Sequence, residues 1–120
     1  MKMNRRDFER LVQAEADALV RGLPGDLRES AEGIIFGAED FPPEGLEEDL
    51  LGLYEGTPVG QRLSESPDLL PDRITLFRLP LLEMCGNLRQ LKREIRLTLI
   101  HELGHHYGYE DGDLERRGLG

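Results

Sequence analysis

Apolar residues recur at helical spacing near both ends of the chain and gather into short runs between them. Phe8, Leu11, Val12, Ala16, Leu19 and Val20 follow an i, i+3, i+4 stripe, which predicts an amphipathic helix over about Arg5–Arg21. Asn4 stands where an N-cap is needed, and Gly22 with Pro24-Gly25 ends the pattern. A second stripe, Leu88, Leu91, Ile95, Leu99 and Leu103, predicts a long helix from Leu88 to about Tyr107, capped by Asn87. Leu97 and Ile100 add a second apolar side, so this helix should lie buried.

Three short runs between the helices read as strands: Gly33–Ala38, Leu50–Tyr54 and Arg73–Leu79, the last stopping at Pro80. The acidic stretch from Glu39 to Asp49 carries Pro42-Pro43 and Gly45 and reads as a loop, as does Gln61–Asp72 with Pro67 and Pro71. Two principal helices against a sheet of about three strands make an α+β fold. At 120 residues the chain is expected to form a single domain, 1–120.

Composition narrows the function more than the fold. A formal charge of −9 disfavours nucleic acid as a partner, because phosphate binding needs clustered Lys and Arg. Arg89, Lys92, Arg93 and Arg96 are interleaved with Glu94 and read as a solvated helix face. Gly56 and Gly60 lack the lysine of a phosphate-binding loop. The single cysteine, Cys85, allows no intramolecular disulfide and reads as a small buried hydrophobe. The first residues carry no apolar signal core, and no run approaches membrane-spanning length, so a cytoplasmic protein is expected.

The chemistry is concentrated at one place. All three histidines fall in His101-Glu102-Leu103-Gly104-His105-His106-Tyr107-Gly108-Tyr109-Glu110-Asp111. On a helix, His101 and His105 project from one face, about 6 Å apart along the axis. Two such imidazoles can close on one divalent ion. Glu102, adjacent but rotated by about 100°, can take a proton from a water beside that ion. Gly108 lies where the helix can stop in a left-handed turn that returns the chain toward the metal. Asp111 would then reach it as third ligand. Glu110, Asp113 and Glu115 are rivals; Asp111 is preferred because its spacing matches the H-E-x-x-H-x-x-G-x-x-(H/D) pattern of metzincins. His106 lies off the ligand face and is expected behind the ligands or in the core.

The segment His101–Asp111, with His105-His106 before Gly108, resembles the small bacterial zincin-like family of metallopeptidases, one-domain proteins of about this length. The N-terminal amphipathic helix, the strand running into Glu39-Asp40-Phe41-Pro42-Pro43, and Leu51-Gly52-Leu53-Tyr54-Glu55-Gly56 are in keeping with it. The resemblance implies a minimal zincin-like fold and a zinc ion held by His101, His105 and Asp111, with Glu102 as catalytic base. In zincins an edge strand beside the active helix can pair with an extended peptide, and Arg73–Leu79 is the candidate for that role. The chain departs from true metzincins in having Met1, Met3 and Met84 all upstream of the motif, with no methionine turn after it. The downstream tyrosine that steadies an oxyanion is also missing, leaving Tyr107 and Tyr109 as substitutes or as packing residues.

The leading expectation is zinc-dependent hydrolysis of a peptide bond in a peptide or protein substrate, with no nucleic-acid or membrane partner. A metal-dependent endoribonuclease uses similar ligand spacing, but Glu102 stands where those enzymes have glycine and Asp111 where they have histidine. A site of two histidines and one carboxylate could also hold Fe(II), although such triads rarely sit on H-E-x-x-H helices. A non-catalytic zinc-binding regulatory module is the remaining alternative.

Overall fold

The two long helices form for local reasons. The computed structural model describes residues 1–56 and 71–108. Helix α1 spans Arg5–Arg21, and the Asn4 side chain accepts the N–H of Asp7 at 2.8 Å. Its inward stripe is Phe8, Val12, Ala16 and Leu19, all buried. Gly22 closes it with its N–H on the carbonyls of Ala18 and Leu19. The chain then turns at once into a short helix, α2 (Gly25–Ala31), which the apolar pattern does not predict. Seven residues with only Leu27 and Ala31 inward are too few to show a stripe.

Among the described residues the sheet has three strands: β1 (Ile35–Glu39), β2 (Gly52–Glu55) and β3 (Arg73–Phe77). Their order is β1-β3-β2, with β1 parallel and β2 antiparallel to β3. This corrects the expectation that Arg73–Leu79 is an edge strand. It is central, flanked on both sides and almost wholly buried from Ile74 to Phe77. It is also shorter than expected, because the chain enters helix α3 (Arg78–Met84) directly. Pro80 sits in the first turn of α3, where its missing N–H costs no helical bond. Arg78 ties the junction together, donating to Asp40 Oδ1 and to the Met3 carbonyl, each at 2.8 Å. That hydrogen bond holds the Asp40 carboxyl below the usual carboxylate range.

Helix α4 (Leu88–His106) starts at Asn87, whose side chain accepts from the Gln90 N–H at 2.9 Å. Leu91, Ile95, Leu99, Ile100 and Leu103 are buried, but Leu88 and Leu97, expected to be apolar contacts, are 46% and 39% exposed. Leu88 is at the first turn and Leu97 on the outward side, so neither reaches the core. Cys85 is buried as expected, and burial pushes its thiol pKa up.

The helix α1 lies against β1, α4 lies against β2 and β3, and the two helices touch. Gly52 allows a close approach of β2 to α4: a Cβ there would stand 2.7 Å from Thr98 Cγ2 and 3.0 Å from Leu76 Cδ2. A side chain at this position would push β2 off α4 one turn before Glu102. Among the described residues, no helix is long and apolar enough to cross a membrane.

Candidate metal centre

The last two turns of α4 carry the histidines, and the helix sorts them by face. His101 and His105 are exposed, one turn apart, whereas Glu102 and His106 are buried at 8% and 1% exposure. The buried stripe continues Leu99 and Leu103, which lie seven and three residues before His106. Core packing of that stripe therefore fixes which way the exposed pair points.

The His101 and His105 ring centroids are 5.0 Å apart at 83°. The Nε2 of His101 is 3.8 Å from Glu102 Oε2. One ligand atom from each of His101, Glu102 and His105 lies within 4.8 Å of the others. Exposed imidazoles at this spacing can be drawn together by side-chain rotation on an ion with bonds of ~2 Å, and two imidazole nitrogens suit zinc. The donor set fits the metal that the sequence implies.

Gly108 adopts φ 75° and donates its N–H to the His105 carbonyl at 3.0 Å. This is the left-handed stop expected there, and it turns the chain immediately after the second imidazole. Asp111, the expected third ligand, lies outside the described residues, as do Tyr109, Glu110, Asp113 and Glu115. Tyr107 donates its hydroxyl to the Leu27 carbonyl at 2.7 Å, so it anchors the helix end to α2.

Sequence reasoning missed the partners of His106. Its Nδ1 meets Asp72 Oδ2 at 2.5 Å, and its Nε2 lies 3.2 Å from Ser30 Oγ. Asp72, itself buried, also accepts from the Tyr54 hydroxyl at 2.7 Å. The contacts run Ser–His–Asp as in a hydrolase triad, but a ring 1% exposed offers no room for a substrate. Their effect is structural: they pin the end of α4 to α2, β2 and the start of β3. The inward position of His106 was legible from its place on the stripe. Asp72 carried no such signal, because it stands between a proline and a strand.

Replacing His106 by alanine should therefore leave zinc stoichiometry unchanged while lowering stability by about 3 kcal/mol, since it strips a partner from a buried carboxylate. Metal analysis and denaturant unfolding of the same preparation separate the two effects. Loss of metal from this variant while it remains folded would mean that His106, not its neighbours, is a ligand.

Three comparisons bear on this geometry. The family model described as "Zincin-like metallopeptidase" matches residues 31–120. No curated protein matches the chain. Among solved structures, a conserved hypothetical protein from Thermo thermophilus is similar, with a TM-score of 0.54 and 26% identity over 88% of this chain and 95% of that one.

Proposed function

The chain belongs to the zincin-like metallopeptidase family, and on that footing we propose that it is a zinc-dependent peptidase. His101 and His105 hold the ion with Asp111 as third ligand, and Glu102 is the general base. The carrying observation is the pairing of two exposed imidazoles with a buried carboxylate on adjoining faces of one helix end. Zinc, when bound, supplies a Lewis acid that polarises a carbonyl and lowers the pKa of a water to about 7. Glu102 takes a proton from the attacking water and returns it to the leaving amine. Its side chain is buried against α4's neighbours, which limits the orientations from which it can meet the reacting atoms.

The sheet supports an extended substrate. Among the described residues β2 is an edge strand, and it is the strand whose Gly52 rests on α4. Phe77 donates to the Leu51 carbonyl at 2.9 Å, so by antiparallel alternation Gly52 turns its own main-chain groups away from β3. A peptide laid along that edge would pass beside His101 and Glu102. The role expected for Arg73–Leu79 therefore passes to β2.

The test is metal analysis of protein purified without chelator or nickel resin, paired with a peptide-library digest read by mass spectrometry. About one zinc per chain and internal peptide cleavage are expected. Cleavage of RNA without cleavage of peptides would replace this reading with a nuclease. A zinc-loaded, folded protein inert toward the whole library would leave a non-catalytic module.

A further inference from the structure

Beside His101 and Glu102 the surface opens into a groove of about 400 Å³, between the chain entering β2 and the outer side of α4. Its apolar lining is Leu50, Leu51 and Leu97; its polar lining includes the carboxylates of Glu47, Asp49 and Glu94. Among the described residues no lysine or arginine lines it. Among the described residues none of these three carboxylates is in an ion pair, whereas Glu9, Glu39 and Asp40 each have an arginine. Past Asp49 the same character continues in a second hollow, lined by Glu44, Glu48 and Glu83 together with Phe41, which is 65% exposed.

A guest of this groove must satisfy both linings. A purely apolar side chain would cover the leucines but strip water from carboxylates without pairing them. An acidic side chain would meet like charge. A long cationic side chain fits both demands, with its methylene stem on apolar surface and its charged head at carboxylates. We propose that the groove is a subsite for an arginine or lysine side chain of the peptide substrate, close to the scissile bond. Selectivity for basic peptides is then built into the metal centre's own wall. This inference rests on the peptidase reading, and its test keeps the two apart.

Three nine-residue peptides, identical except for Arg, norleucine or Glu at one central position, are titrated onto the zinc-loaded full chain carrying Glu102→Gln. Fluorescence anisotropy then reads binding without turnover. The same peptides are incubated with the zinc-loaded unmodified chain and analysed by mass spectrometry. The Arg peptide should bind about tenfold or more tighter than the norleucine peptide, the scale of a charge-assisted hydrogen bond, and the Glu peptide weakest. The Arg preference should shrink as salt is raised. Combining Glu47→Gln, Asp49→Asn and Glu94→Gln should bring the Arg peptide down to the norleucine level.

Equal binding of the Arg and norleucine peptides, or no binding of either, overturns the subsite. A preference that survives the triple neutralisation also overturns it. Cleavage of all three peptides at equal rates would sink the subsite and leave the peptidase reading standing. Selective binding of the Arg peptide with no cleavage of any would sink the peptidase reading and leave the groove as a binding site for a cationic side chain.

Discussion

Alanine at His101 or at His105 removes zinc from the protein altogether, while the fold without metal keeps its stability. The first half of this expectation follows from the ligand count. Each imidazole is one of two on the exposed face of α4, and no other histidine can replace it, because His106 is turned into the core against Asp72. The second half follows from exposure, since side chains in water contribute little to packing. In chelator, the variants and the unmodified chain should therefore melt together. With zinc at about a hundred times its dissociation constant, only the unmodified chain should gain stability, by about 2.7 kcal/mol. Asp111→Ala should weaken zinc strongly and Asp113→Ala only slightly. Gly108→Val should act like a weaker Asp111→Ala, by opposing the positive φ at that position. A histidine variant that still holds stoichiometric zinc, or loss of metal with Asp113→Ala alone, would overturn the ligand set.

Glu102→Gln should bind zinc normally and lose hydrolysis by about 10²–10⁴-fold, the range for a missing general base. Glutamine keeps the size of the side chain and one oxygen acceptor, so the buried position, which lines one groove with Thr98 and Gly52, remains filled. It cannot take a proton at neutral pH. Glu102 stands apart from the two imidazoles in being buried where they are exposed, which suits a group that acts on water beside the ion rather than on the ion. Zinc content and turnover must be measured on one preparation, so that metal loss is not mistaken for loss of the base. Full activity with zinc in place would end the mechanism. Joint loss of zinc and activity would make Glu102 a ligand instead.

Much of this was legible in the sequence because its causes are local. The extent of α1, the Asn4 and Asn87 caps and the placement of His101 beside His105 follow from the helical repeat and from hydrogen bonds between residues close in the chain. The left-handed turn at Gly108 is local in the same way. The short α2 and α3 escaped because a helix of two turns offers too little repeat to count.

The sheet order was not local, and it emerges only when the strands pack together. A run such as Ile74-Thr75-Leu76-Phe77 states that both faces are covered, but its neighbours β1 and β2 are chosen by how the intervening chain crosses over. The same holds for Asp72 beneath His106, Thr98 against Gly52, and Glu94 facing Glu47 and Asp49 across one groove. Each brings together residues from distant parts of the chain. The grouping of two imidazoles and a carboxylate could be read from the chain alone, because side chains within about one turn of helix are placed by the helical repeat. What faces that chemistry was decided by packing: the side-chain pattern records that a residue is buried or exposed, and not against which distant residue.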